Sequence, residues 1–228
     1  MKIRWRFKWD YKTINVVFLF YLVFMLSFLI FFYTNKDRFE PIPLDERVFK
    51  SNIYLFFDFL FPIFAALNFL IMFSNNFENQ TYRYVNSLPV RNIVFFRWIR
   101  LYIAMSVPYI ISLYITHINI KGSRINMTFA DSVFLSFPNF LFLCSCSVFL
   151  MVVFRRIFYS IILLGGYVLL DMSSVGSFTE NSSLFVNVYG RYHWNEIFWN
   201  RIAYLIISII LFSLSCFLVT TKPYKNRE

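Results

Sequence analysis

Long apolar runs separated by short polar segments are the feature that most constrains the fold of this chain. A run of about 18 apolar residues or more predicts a membrane-spanning helix. Hydrophobic residues make up 59% of the chain and charged residues 15%, whereas soluble domains average about 45–50% and about 25%. The sequence therefore predicts an all-α membrane protein. Its single domain, residues 1–228, has six expected transmembrane helices at about 14–33, 53–73, 93–118, 132–154, 157–174 and 201–220.

The fifth apolar run leaves two interpretations open. Its continuous apolar part, residues 157–170, is short for about 30 Å of hydrocarbon. The span either extends to Ser174 or stops short and leaves a re-entrant segment. Residues 171–200 are the longest non-apolar segment, and their second half alternates aromatic and polar residues. This pattern predicts outer re-entrant or interfacial helices before the last span begins at about Arg201.

The distribution of Lys and Arg predicts the orientation of the spans. With both termini in the cytosol, 14 of the 22 Lys and Arg residues lie on the inner side and 8, including Arg201, on the outer side. Cytoplasmic segments carry such an excess, which favours N-in/C-in. Residues 1–12 alternate basic and aromatic residues. They predict an N-terminal interfacial segment, helix or strand, on anionic headgroups, or a positive anchor without fixed structure. The net charge of +10 thus indicates a lipid bilayer as partner and no nucleic acid.

The second span contains Asp58 near its outer end and Pro62 near its centre. A carboxylate inside the membrane is a candidate functional group, which makes Asp58 a candidate for the substrate path. Asp58 lies only about two turns inside the span. Solvation by water or headgroups, with a structural or interfacial role, is therefore the alternative. Pro62 is expected to kink the helix or to leave a carbonyl without its helical partner.

Motifs for nucleotide binding and hydrolysis are absent from the sequence. It contains no G-x-x-x-x-G-K-[ST] loop and no H-E-x-x-H. The two histidines are His117, expected to be a solvated residue at the outer end of a span, and His193. Cys144, Cys146 and Cys216 lie inside apolar runs and are expected to be buried thiols. The chain is therefore not expected to be an enzyme or to hold a metal or cofactor of its own.

A polar segment between the second and third spans, FENQTYRYVNSLPVRN, has helical periodicity. Asn75 or Asn76 can cap a helix, and Pro89 ends one. The predicted helix covers about residues 76–88 and is amphipathic. Its apolar face contains Phe77, Thr81, Tyr84, Val85 and Leu88, and its other faces contain Glu78, Asn79, Arg83 and Asn86. Such a helix either lies on the inner leaflet or docks on a partner protein.

The same segment resembles the region between the second and third spans of ABC-2 type transporter permeases. The matching residues, in order, are Glu78, Thr81, Tyr84-Val85, Leu88-Pro89-Val90 and Arg91. The sequence departs from the family pattern at Gln80, where Gly is usual, and at Arg83, where Glu is common. Six spans, cytosolic termini and a long outer segment before the last span add to the resemblance.

The resemblance implies that residues 76–88 are a coupling helix that docks on a separate ABC ATPase. ATP and Mg would bind to that ATPase and not to this chain. It also implies a second permease subunit, identical or different, and a bacterial plasma membrane. The implied docking residues are Phe77, Glu78, Thr81, Arg83, Tyr84, Val85, Leu88, Pro89 and Arg91.

The expected function is that of a permease subunit in an ATP-driven exporter. Small outer loops and spans rich in Phe, Tyr and Met favour a hydrophobic or amphipathic substrate, and the family analogy suggests an antimicrobial or toxin-like peptide. The alternative is a membrane immunity or scaffold protein that binds a peptide or partner in the bilayer without transporting it.

Overall fold

The computed structural model describes residues 2–35, 42–43, 49–50, 56–77, 90–120, 128–173, 183–184 and 194–221. Helices make up nearly all of this part of the chain: α1 (Lys2–Thr34), α2 (Phe61–Phe77), α3 (Val90–Ile120), α4 (Phe129–Phe154), α5 (Ile157–Ser173) and α6 (Trp194–Thr221). One π-helical turn, Phe56–Leu60, leads directly into α2. Between α1 and α2, the two-residue strands β1 (Ile42–Pro43) and β2 (Phe49–Lys50) pair antiparallel, with Ile42 opposite Lys50.

Four helical stretches of the described chain are long and apolar enough to cross a membrane. They are Phe56–Ser74, Trp98–Asn119, Phe129–Phe154 and Ile197–Val219. Two shorter apolar helices, Phe18–Thr34 and Ile157–Ser173, coincide with the first and fifth predicted spans. The prediction of a helical fold with several membrane-length helices is confirmed. Six complete crossings and the N-in/C-in orientation stay predictions.

Successive helices run in alternating directions. The ring centroid of Tyr21 in α1 lies 6.5 Å from that of Phe64 in α2. Phe28, two turns further along α1, lies 5.6 Å from Phe57, which precedes α2. Aromatic pairs between α3 and α4 reverse in the same way. We call the end of the bundle that carries the α1–α2, α3–α4 and α5–α6 connections the upper end, and the opposite end the lower end.

Helix α4 lies at the centre of the bundle and packs most extensively against α6 and α2. Close packing of membrane helices depends on small residues, and the chain has only 5 Gly. Serines occupy such positions here: Ser145 and Ser147 of α4 and Ser208 and Ser215 of α6 are buried. The hydroxyls of Ser147, Ser208 and Ser215 each donate to a carbonyl one turn earlier. Each hydroxyl is therefore satisfied within its own helix.

Both ends of α4 have identifiable stop signals. At its start, Thr128 and Asp131 form a capping box, in which each side chain accepts a hydrogen bond from the other residue's N–H. At its end, Arg155 adopts a left-handed conformation with a φ of 53° and donates its N–H to the carbonyl of Met151. This conformation ends the helix and reverses the chain, so α5 begins only two residues later.

The structure extends two helices beyond the predicted spans. Helix α6 begins at Trp194, seven residues before the predicted last span, and its apolar stretch Ile197–Val219 agrees with that span to within four residues. Residues 194–200, expected in a separate interfacial helix, are the first two turns of α6. At the other end of the chain, the basic and aromatic N-terminal residues belong to α1 from Lys2 onwards. A strand or an anchor without fixed structure is therefore excluded for that segment.

Candidate functional site

The predicted coupling helix lies mostly outside the described residues. Phe77 is the last residue of α2, and Arg91 is the second residue of α3, so the segment joins these two helices at the lower end of the bundle. The structure does not describe the other predicted docking residues, Glu78, Thr81, Arg83, Tyr84, Val85, Leu88 and Pro89. Their docking role stays a prediction.

The described polar site lies near the upper end and starts from Asp58. Asp58 belongs to the π-helical turn Phe56–Leu60 and has no exposed surface. Asp58 is therefore not at the surface, where headgroups could solvate it. Its role, in the substrate path or structural, stays a prediction. A π-helical turn inside an α-helix is frequent at functional sites, and here it coincides with a buried acidic residue.

Pro62 explains why this turn needs partners from other helices. A residue at position 62 would donate its N–H to the carbonyl of residue 58 in an α-helix and of residue 57 in a π-helix. Proline has no N–H. The Tyr109 hydroxyl donates instead to the carbonyl of Phe57 at 3.0 Å, and the Asn139 amide donates to the carbonyl of Asp58 at 3.2 Å. The carbonyls of Phe57 and Asp58 thus accept hydrogen bonds from side chains of α3 and α4. The predicted effect of Pro62 on the helix stays a prediction.

Asn139 links three parts of the bundle through one side chain. Its Nδ2 donates to the carbonyls of Asp58, at 3.2 Å, and Leu184, at 2.7 Å. Its Oδ1 accepts a hydrogen bond from Nη1 of Arg201. Both amide donors and the amide oxygen are therefore engaged. Because Asn139 lies on the central helix α4, these bonds hold the start of α2 and the start of α6 at one level of the bundle.

Arg201 is the buried cation of the site. It has no exposed surface. Besides its bond to Asn139, its Nη2 lies 3.3 Å from the carbonyl of Leu184. Asp58 and Asp171, both without exposed surface, are the buried acidic side chains whose charges act on its guanidinium. Arg201, which the prediction counts with the outer positive charges, is therefore buried inside the bundle.

Asp171 holds a short non-helical piece of the chain, Ser183–Leu184, which lies between α5 and α6. Its Oδ2 accepts the N–H of Leu184 at 2.7 Å and the hydroxyl of Ser183 at 3.3 Å. Asn200 donates to the carbonyl of Ser183 at 3.2 Å. Ser183 has no exposed surface, and Leu184 is 1% exposed. We call the four side chains that bind Ser183–Leu184, namely Asn139, Asp171, Asn200 and Arg201, the backbone clamp.

The described residues contain two further polar contacts between helices. The hydroxyls of Tyr167 in α5 and Tyr204 in α6 lie 3.0 Å apart. At the end of α3, Nδ1 of His117 lies 2.9 Å from the hydroxyl of Ser132. His117 is only 7% exposed, so the expectation that it is solvated is wrong. Among the described residues, no group of three or more His, Cys, Asp or Glu side chains could hold a metal ion.

Sequence reasoning found Asp58 but missed Asn139, Asp171 and Arg201 as members of one site. One signal could have identified Arg201. Ile197, Arg201, Tyr204 and Ser208 follow one another at helical spacings of four, three and four, and all four are buried. A charged residue in phase with the apolar face of a span belongs to the bundle interior, where it needs a counter-charge.

Comparison of the chain with known protein families, curated proteins and solved structures gives no match.

Proposed function

We propose that the chain is a membrane-spanning permease subunit of an ATP-driven exporter and that a separate ATPase docks on residues 76–91. The substrate is hydrophobic or amphipathic, and an antimicrobial or toxin-like peptide is the class that the family resemblance suggests. A second permease subunit, identical or different, completes the pathway in a bacterial plasma membrane.

One observation carries most of the proposal. Helix α2 ends at Phe77 and α3 begins at Val90, so twelve residues with an amphipathic pattern connect two helices of membrane length. A short helix joined this closely to two rigid helices would act as a lever. A force that the docked ATPase exerts on the short helix would move both α2 and α3. Supporting this, the segment shares the lower end with the Arg155–Arg156 turn between α4 and α5, as expected of a cytosolic surface.

The proposal predicts that Leu88→Asp separates the ATPase from the permease. A carboxylate in the apolar face of the docking helix would have to be desolvated in the interface, at a cost of several kcal/mol. Substrate-stimulated ATP turnover of the assembled complex should fall at least about tenfold, as a loss of about 1.4 kcal/mol or more implies. Asn86→Asp is the matched control, since it adds the same charge on the polar face.

Leu88→Asp and Asn86→Asp should both insert into the membrane normally, which size-exclusion profiles in detergent would show. Full substrate-stimulated turnover in Leu88→Asp would contradict the docking assignment.

One observation favours the alternative, a non-transporting immunity or scaffold protein. The buried polar contacts of Asn139 and Arg201 tie α2, α4 and α6 together within one chain, which suits a rigid scaffold. In that case Leu88→Asp together with Glu78→Lys would leave the biological activity of the chain unchanged.

A further inference from the structure

The residues Ser183 and Leu184 penetrate the bundle from its upper end. Their partner Asn139 lies ten residues into α4 from Phe129, about 15 Å along the helix axis. Arg201 lies seven residues into α6 from Trp194, about 10 Å along its axis. Non-helical backbone at such a depth is tolerated only where the protein satisfies its polar groups.

The backbone clamp binds three of the four backbone polar groups of Ser183 and Leu184 with side chains. The N–H of Leu184 donates to the carboxylate of Asp171, and its carbonyl accepts from Asn139 and Arg201. The carbonyl of Ser183 accepts from Asn200. The clamp therefore binds backbone N–H and C=O groups, and every residue other than proline has both. The Leu184 side chain adds apolar contact, since it belongs to the hydrophobic core.

The charges of the site make a purely structural role costly. Removing Asp58, Asp171 and Arg201 from water costs several kcal/mol per ion, and charged residues in membrane helices are functional by default. A site that binds a peptide unit reversibly, in contrast, needs hydrogen-bond donors for its C=O group and an acceptor for its N–H group, as the side chains of the backbone clamp provide.

We propose that the backbone clamp is a peptide-binding site, which Ser183–Leu184 of the same chain occupies in this structure. Its ligand is a non-helical peptide segment that places an apolar residue where Leu184 lies and takes over the hydrogen bonds to Asn139, Asp171, Asn200 and Arg201. Ser183–Leu184 is then an internal competitor. The inference names the substrate class of the proposed exporter and rests on that function for transport, but peptide binding itself needs no ATPase.

Peptide binding to the full chain in phosphatidylcholine–phosphatidylglycerol nanodiscs tests the proposal. The probe is a fluorescent, end-blocked peptide with the sequence of residues 181–185, NSSLF, and the readout is fluorescence anisotropy. Leu184→Ala weakens the internal competitor and leaves the clamp intact. Its apparent Kd for the probe should fall about tenfold or more, because a larger fraction of sites is open. Leu169→Ala, at an exposed position of α5, is the matched control and should bind as the wild type does.

Two further measurements address specificity. Adding Asn139→Leu to Leu184→Ala should abolish the gain, and a probe with Asp in place of Leu should not bind. An apparent Kd of Leu184→Ala within about twofold of wild type, or a gain that survives Asn139→Leu, would overturn the proposal and leave Ser183–Leu184 as a fixed structural element.

Leu184→Ala could fail to yield a monodisperse protein. In that case Ser183→Cys, in the otherwise unchanged chain, tests whether the probe displaces Ser183–Leu184 from the backbone clamp. Excess probe should accelerate maleimide labelling of this buried position above the background of the three native cysteines, and an unchanged rate would overturn the proposal. If these peptide-binding tests fail while an ATPase still copurifies with the chain, the peptide-binding site is rejected. The proposed exporter function is then not rejected.

Discussion

At the residue scale, Arg201 is a cation without exposed surface and one of the largest fully buried side chains of the described structure. Its guanidinium is fully buried, contacts Asn139 and the carbonyl of Leu184, and compensates part of the charge of Asp58 and Asp171. Removing one member of a buried charged group leaves the others without compensation, which costs more than the group contributes when complete.

Arg201→Met should therefore destabilise the protein by about 3–5 kcal/mol. Met retains most of the apolar volume of the side chain, so the loss reports the charge and the hydrogen bonds. The same substitution at Arg100, which is exposed on α3, is the control and should change stability by no more than about 0.5 kcal/mol. Urea unfolding in mixed micelles, followed by tryptophan fluorescence, measures both. Equal stability of Arg201→Met and Arg100→Met would contradict the assignment.

Tyr109→Phe tests the role of Pro62 in the π-helical turn. The substitution removes one hydroxyl and leaves the carbonyl of Phe57 without its donor in the bundle interior. A loss of about 1–3 kcal/mol is expected. Tyr159→Phe removes a hydroxyl from a side chain that is 55% exposed and should have little effect. If both variants unfold at the same urea concentration, the hydroxyl of Tyr109 does not support the turn.

Single residues were predictable where their chemistry conflicted with the surrounding sequence. Asp58 stands out as an acidic residue in an apolar run, and Pro62 as a helix residue without an N–H. Asn139 gave no such signal, because an amide inside a span has no charge and its three partners are distant in sequence. Arg201 was misassigned because a charge next to an aromatic and polar segment resembles the edge of a span.

At the element scale, local sequence determined most helix boundaries. The predicted fourth and fifth spans end or begin at the Arg155–Arg156 turn, as α4 and α5 do. The second span agrees to within four residues with the π-helical turn and α2 taken together, and the third span agrees equally well with α3. Helix α6 extends seven residues ahead of the predicted last span, because polar residues there face partners that only the tertiary structure supplies.

The end of α4 gives a prediction at this scale. Arg155 has a positive φ, a conformation that strongly disfavours β-branched residues. Arg155→Val should therefore lower stability by about 1–3 kcal/mol, whereas Arg155→Asn should be tolerated. Arg156→Val is the control, since it changes the neighbouring residue in the same turn. A smaller effect at position 155 than at 156 in urea unfolding would show that the left-handed conformation does not determine the turn.

At the scale of the whole molecule, the apolar runs predicted the helical bundle, and the structure adds the arrangement of its polar groups. Helix directions alternate, α4 is central, and the charged site lies near the upper end. The proposed ATPase-docking segment lies at the lower end, so α2 and α3 connect the two regions. In an exporter, movement of these helices at one end would change the packing around Asp58 and Tyr109 at the other.

Purification of the tagged chain from its native membrane, after mild cross-linking, tests the exporter proposal most directly. Mass spectrometry of the bound chains should find an ABC ATPase at about one copy per permease chain, and the Leu88→Asp variant should lose it while the Asn86→Asp variant keeps it. Recovery of the wild-type chain without any ATPase, from membranes in which the chain is active, would contradict the proposal.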